Sequence, residues 1–252
     1  MDPLAVLASR EDVTVATEQA RAAVDDVLMN RAVRNAAAEV VATSISSGAQ
    51  ASAAIDGADI AEVDASPMGR VLMATLRATI DVPSLVDAWG ASPLQVLAQL
   101  HARVAKGFVP DDELGRPRVG DVADDPLHIG ELPPASEVTP RLEALAAILT
   151  MPTRAPALIV AAVVHGELLD LRPFTWGSGI VARAAVRLTL ASRGVDPELF
   201  TIPEAGMHDL GRPAYVNSIR AYGSGDPIGV AEWLIWHAQA VQLGAERVSR
   251  MQ

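Results

Sequence analysis

Apolar residues recur along most of the chain at the three- and four-residue spacing of helices that bury one face. From Asp12 to Asn30 the stripe is Val13, Ala16, Ala20, Val24 and Val27, and from Arg31 to Ser44 it continues through Val33, Ala37, Val40 and Val41. Ser44 to Gly57 turns small and polar, which predicts a helix end followed by a loop, and the acidic stretch Ala58 to Ser66 extends that loop. Pro67–Ile80 and Ser92–Lys106 read as amphipathic helices, each with a serine cap and a proline at the first helical position. Phe108–Arg118 is a Pro/Gly/Asp loop, and in Val119–Pro134 only Leu127-His128-Ile129 reads as strand, which predicts a short solvent hairpin. Ser136–Leu149 is the next helix, with Leu142, Leu145, Ala146 and Leu149 inward. Two central helices follow, Ala155–Leu171 and Ser178–Arg193, and Gly194 is the stop. Leu199–Pro213 reads as loop, Ala214–Tyr222 as a short helix and Val230–Val248 as the last. The stripe of that last helix is Val230, Trp233, Leu234, His237, Val241 and Gly244. Trp236 falls off it and is expected at the surface, where it would mark a partner site.

The pattern predicts a mostly α protein, read as one domain. Within it, N-terminal helices span 1–66, a core spans 67–193 and C-terminal helices span 194–252. Half of the residues are hydrophobic and mean hydropathy is +0.24, which excludes a disordered chain. Net charge is −11, which argues against nucleic acid or an acidic membrane as partner. Cysteine is absent, so disulfides, thiolate nucleophiles and cysteine-bound metals are excluded. Lys106 is the only lysine, and the abundance of alanine and arginine is that of a GC-rich bacterial coding bias. No apolar run reaches the roughly 20 residues of a membrane helix, and MDPLAVLASRED lacks the basic start and apolar core of a signal peptide. A cytoplasmic location is expected.

The chemistry concentrates at Gly177-Ser178-Gly179, directly before the helix carrying Ile180, Ala184, Leu188 and Ala191. A glycine-flanked helix start presents free N–H groups and the positive end of the helix dipole, which together favour an anion. Arg172, Arg183 and Arg187 would add charge. The plainer alternative is a tight turn between two core helices with its arginines in solvent.

The segment Arg172-Pro173-Phe174-Thr175-Trp176-Gly177-Ser178-Gly179-Ile180-Val181-Ala182-Arg183 resembles the signature of the Fic (Fido) family, His-Pro-Phe-x-Asp/Glu-Gly-Asn-Gly-Arg-x-x-Arg. Pro173, Phe174, both glycines and the last arginine are kept. Arg172 stands at the general-base histidine, Trp176 at the metal-binding acid, Ser178 at the asparagine and Ile180 at the first arginine. Ser52-Ala53-Ala54-Ile55-Asp56-Gly57 is similar to the family's self-inhibition motif, Ser/Thr-x-x-x-Glu-Gly/Asn, whose glutamate pairs with the second signature arginine, here Arg183. Asp56 is shorter than that glutamate by one methylene. Gly115–Arg118 resembles the opening of the family's flap hairpin, Val119–Pro134 here, which holds a target polypeptide by strand addition. His101 matches a histidine often found at that point; a hydrogen-bonded structural histidine is the plainer reading.

The resemblance implies a Fic-type helical domain with one small β-hairpin flap. It also implies that AMP transfer is lost. Arginine stays protonated near neutral pH and cannot act as base, and tryptophan offers no oxygen to Mg²⁺. No cofactor, metal ligand or catalytic residue is therefore assigned. The expected site is an anion or nucleotide site made by Arg172, Gly177, Ser178, Gly179 and Arg183, with Ser52, Asp56 and Gly57 as the inhibitory element. Its occupant would be a nucleotide or other phosphate ligand, a protein partner's acidic residue, or Asp56 itself; the flap is a second expected partner surface. Two alternatives stay open. One is a Fido enzyme with a different group-transfer chemistry. The other takes GSGIVA as G-x-G-x-x-A of a dinucleotide-binding oxidoreductase, with Asp196 about twenty residues on.

Overall fold

A computed structural model describes residues 2–57 and 67–251, so the expected 58–66 loop and the Ser66 cap lie outside the described residues. The Asp2 carboxylate accepts the Leu4 and Ala5 N–H groups at 3.2 and 3.3 Å and starts α1 (Pro3–Leu7). α2 (Glu11–Met29) buries the predicted stripe of Val13, Ala16, Ala20, Val24 and Val27. Asn30 caps a short α3 (Arg31–Asn35), and α4 (Ala37–Ile55) follows after a break at Ala36. The loop expected after Ser44 is instead helix as far as Ile55. Its small residues do not end the helix; they bring its backbone close to its neighbours, and Gly48, Ala49, Ala51, Ser52 and Ala53 are all buried.

α5 (Pro67–Trp89) runs past the predicted stop at Ile80 and through Pro83, ending on Trp89, whose indole N–H donates to Thr189 Oγ1 at 3.0 Å. α6 (Pro93–Ala105) starts on its proline, but Ser92 makes no capping hydrogen bond. α7 (Val138–Thr150), α8 (Ala157–Leu171) and α9 (Ser178–Ser192) match the sequence pattern. α8 and α9 are buried on nearly every side and form the centre of the molecule. The stretch read as loop at Leu199–Pro213 contains α10 (Pro203–Asp209). Gly206 there lies so close to the last helix that a Cβ would stand 1.8 Å from the Ala240 carbonyl oxygen. A glycine that looks like a breaker in sequence is here a close-packing position. α11 (Arg212–Gly223) and α12 (Pro227–Arg250) complete the chain.

Trp236 is not at the surface: it is 6 % exposed and stacks on Tyr215 and Trp233, with ring centroids 4.8 and 5.1 Å away. α12 packs against α2 on one side and α10 and α11 on others, so a residue off the main stripe is still covered.

The expected hairpin at Val119–Pro134 has no ladder; the one bridge among the described residues is Lys106 with Val109. Asp125 accepts the Ile129 and Gly130 N–H groups through its side chain and the His128 N–H through its carbonyl. His128 turns to φ 55°, which leaves the extended region. With its donors bound to Asp125, the segment cannot pair as a strand. The dinucleotide alternative falls with the absence of a sheet among the described residues. Asp196 instead closes a local turn, accepting the Phe200 and Thr201 N–H groups at 3.0 and 2.9 Å. No helix among the described residues is long and apolar enough to cross a membrane.

Candidate functional site

The signature loop hangs between two left-handed residues, Arg172 (φ 45°) at the end of α8 and Gly177 (φ 77°) before α9. A Cβ on Gly177 would stand 2.8 Å from Val104 Cγ1, so both backbone angle and space require glycine there. Phe174 is buried and stacks face to face on His101, 4.0 Å between centroids. His101 Nδ1 accepts the Gly115 N–H at 2.9 Å, and burial pushes its pKa down to about 4, so the ring is neutral. It is fully buried and structural. Ser178 closes the loop on itself: its Oγ accepts the Phe174 N–H at 3.1 Å and donates to the Phe174 carbonyl at 3.2 Å. Its hydroxyl is thus committed within the loop. Trp176 lies flat on Phe108, 3.8 Å between centroids. The side chain at the family's metal-ligand position is therefore an indole stacked on a benzene ring, and the residues present do not fit Mg²⁺.

Arg183, one turn into α9, is 1 % exposed. Its Nε donates to Ser52 Oγ at 2.7 Å, and Nη2 donates to the Ser52 carbonyl at 3.1 Å and to Asp56 Oδ2 at 2.6 Å. Ser52 and Asp56 lie one turn apart on α4 and meet the guanidinium together; Gly57 follows at φ 91° as the helix stop. Burial alone would lower the arginine's pKa, but the Asp56 carboxylate and the Tyr215 hydroxyl together outweigh this and hold it above its ordinary value. Asp56 Oδ1 is buried without a hydrogen-bond partner among the described residues. It points toward Gly179, where an added Cβ would stand 3.7 Å away. The shorter acid thus reaches the arginine directly.

Arg172 is not brought to this place. It is 3 % exposed, and Nη1 donates to Asp125 Oδ2 at 3.0 Å and to the Gly130 carbonyl at 3.1 Å, while Nη2 donates to the Glu131 carbonyl. Arg187 is also withdrawn: it pairs with Glu204 at 2.7 Å and donates to Ser44 Oγ and O at 2.9 and 3.0 Å. Arg183 and Arg187 repeat one device, each reading a serine side chain and carbonyl from the α4 segment plus one carboxylate. Gly48 lies between those serines, and a Cβ on it would meet Arg187 Nη2 at 2.3 Å. The four-residue spacing Ser44, Gly48, Ser52, Asp56 was the available sequence signal for this seam.

Nothing in the residue pattern marks Asp124. Its Oδ1 accepts the Gly177 N–H at 3.1 Å, and its own N–H donates to the Thr175 carbonyl at 2.9 Å. Burial pushes its carboxyl up to about 7, with the Asp56 and Asp125 carboxylates adding to this and the Gly177 N–H opposing it. Two acids of the same chain, Asp56 and Asp124, thus meet the start of α9. The rest of the flap is clamped by arginines. Arg118 reaches the Arg172 and Gly120 carbonyls at 2.9 Å each, and Arg220 reaches the Ile129 and His128 carbonyls at 2.7 and 2.5 Å. These carbonyls are not free for strand addition.

No family model matches the chain, and no curated protein matches it in sequence. Solved structures do. A Fic family protein from Desulfovibrio desulfuricans superposes with a TM-score of 0.71 at 18 % identity, over 96 % of this chain and 75 % of that one. A fragment of Fic-1 from C. elegans gives a TM-score of 0.71 at 17 % identity, over 99 % of this chain and 74 % of that one. These likenesses extend over nearly the whole length of the chain, and they establish that it has the Fic fold.

Proposed function

We propose that this chain is a Fic-fold protein without AMP-transfer chemistry, whose start of α9 serves as a regulatory or nucleotide-binding anion site. The observation that carries the reading is the buried Arg183–Asp56 pair at 2.6 Å, in which the chain's own carboxylate holds the motif arginine. Arg172 supplies no base and is committed to the flap; Trp176 supplies no metal ligand and is committed to Phe108. What is left is recognition: the N–H groups of the loop and one buried guanidinium. Release of Asp56 would let an external phosphate take its place without a metal. A thermal-shift panel of nucleotides, with and without Mg²⁺, tests this. Stabilisation by a nucleotide, equal with and without Mg²⁺, is expected; silence across the panel in both wild type and Asp56→Ala would overturn it.

One observation favours an enzymatic alternative. Asp124, raised to about 7 beside Gly177, has the pKa that suits a general base at neutral pH. A Fido-type transfer of a phosphate-bearing group from a nucleotide donor would then use Asp124 to take the acceptor hydroxyl's proton and Arg183 to stabilise the leaving phosphate. Product formation from labelled nucleotide donors that is lost in Asp124→Asn would establish this reading over the first.

A further inference from the structure

A groove of about 330 Å³ lies on the other side of the Phe108–Trp176 stack, between α5 and the end of α6. Arg70, Met73 and Arg77 line it from α5, and Lys106, Gly107 and Phe108 from the turn after α6. In a chain of net charge −11, three cations converge here, including its only lysine. None of the three pairs with a carboxylate among the described residues. Asp81, one turn along α5 from Arg77, pairs instead with Arg103 at 3.0 Å.

Two of the cations are held in place by contacts that leave their charge intact. The Arg70 guanidinium sits over the Phe108 ring, 5.4 Å from its centroid, and Trp176 supports the opposite face of that ring. Arg77 is steadied through Nε, which donates to the Arg103 carbonyl at 3.1 Å, and among the described residues neither of its terminal nitrogens meets a carboxylate. Positioning without neutralisation is what an anion receptor requires, because the ordering entropy is already spent and the field is undiminished. The buried Arg183 and Arg187, by contrast, are positioned by carboxylates.

From this geometry we propose that the groove binds a phosphorylated small molecule carrying two or more phosphates, of the size of a nucleoside polyphosphate. Three cations match a charge of about three. The volume falls at the small end of ligand sites. Phe108 and Met73 provide the apolar wall. An acidic peptide fits less well: the groove is short and offers no row of unpaired backbone groups for strand addition. The site is independent of the Asp56–Arg183 pair. It meets the signature loop only through Trp176, which makes Trp176 a built-in reporter, since Trp89, Trp233 and Trp236 are buried in the core.

The test is titration with inorganic triphosphate and with ATP, followed by calorimetry and tryptophan emission. Wild type is expected to bind with a change in Trp176 emission that vanishes in Trp176→Phe. Arg70→Ala and Lys106→Glu, both at exposed positions, should each weaken binding at least about tenfold, and added salt should weaken it further. Glu204→Gln, which breaks the Arg187 pair away from the groove, should leave the groove's affinity unchanged. No binding by wild type, or affinity that neither groove substitution weakens, overturns the proposal; a weaker residual affinity that Glu204→Gln leaves in place and Asp56→Ala raises belongs to the start of α9 instead. So does preference for an acidic peptide over triphosphate.

Discussion

Replacing Asp56 with alanine separates a site from an ordinary buried ion pair. Arg183 is 1 % exposed and the Asp56 side chain 7 %, so the one carboxylate paired with Arg183 among the described residues sits on a charge that water scarcely reaches. Removing one partner of a buried pair costs about 3–5 kcal/mol. Ser52 Oγ and its carbonyl remain on the guanidinium at 2.7 and 3.1 Å, which argues for the lower end, about 3 kcal/mol. For a chain of this length that is a fall in Tm of about 6–12 °C.

If the vacated space is an anion site, pyrophosphate should replace the carboxylate. At a concentration one hundred times its Kd, a ligand returns about 2.7 kcal/mol, nearly the whole deficit. Melting is therefore measured with and without pyrophosphate in a Lys106→Glu background, so that the groove does not contribute. Asp56→Ala should recover most of its lost Tm, while its parent barely moves. Glu204→Gln is the control. It breaks a pair of equal burial, Arg187–Glu204 at 2.7 Å, which lies one turn further into α9 and away from the loop N–H groups. It should lose stability and not regain it. A variant as stable as its parent, no recovery with pyrophosphate, or equal recovery in Glu204→Gln would each refute the reasoning.

Three further outcomes are expected. Incubation with labelled ATP and Mg²⁺ should label neither the chain nor proteins of a lysate, and Arg172→His should not change this while Trp176 stands at the metal position; labelling that appears in that variant would contradict the account. Asp124, raised from 3.8 to about 7, keeps a proton in the folded state that the unfolded chain has released, so its contribution to stability falls as pH rises through that window. Urea denaturation across that range should show a flatter pH profile for Asp124→Asn than for wild type, and identical profiles would place the carboxyl in solvent. Gly48→Ala should destabilise by at least about 2 kcal/mol, since the methyl enters at 2.3 Å from an Arg187 nitrogen fixed by Glu204 and Ser44; a neutral denaturation midpoint would show that the seam can shift.

The helices that bury long aliphatic stripes were legible in sequence because their periodicity is set by the core alone, as with Val13 to Val27 in α2. What failed did so where small or polar residues are held by partners far away. Ser44 to Ile55 reads as loop from its composition, yet its serines are spoken for by arginines 131 and 143 positions on. Gly206 reads as a breaker because sequence does not show the α12 backbone beside it. The hairpin expectation rested on Leu127 and Ile129, which are indeed buried, but Asp125 and Arg220 decide the backbone between them. In the site, the Asp56–Arg183 contact was legible from motif order, whereas Asp124 was not. Its role depends on a backbone N–H some fifty residues away, and a lone aspartate in an acidic loop carries no mark of that.

The altered signature positions share a feature that bears on how the site is to be understood. Each replacement has acquired a structural partner of its own. Arg172 holds Asp125 and two flap carbonyls; Trp176 stacks on Phe108; Ser178 closes the loop on Phe174; Ile180 is 2 % exposed in the core. A histidine at 172 is too short to reproduce the two-pronged contact of a guanidinium with the flap, and a carboxylate at 176 would abandon the stack that fixes Phe108 and, through it, Arg70. On the proposed reading, the family's catalytic groups are absent in a specific sense. Their places are filled by side chains on which the flap and the neighbouring basic groove depend, so restoring the motif residue by residue would dismantle the surroundings that a recovered site would need. The retained elements, Gly177, Gly179 and Arg183, are those required for holding an anion at a helix start, and both carboxylates that meet them come from the chain itself.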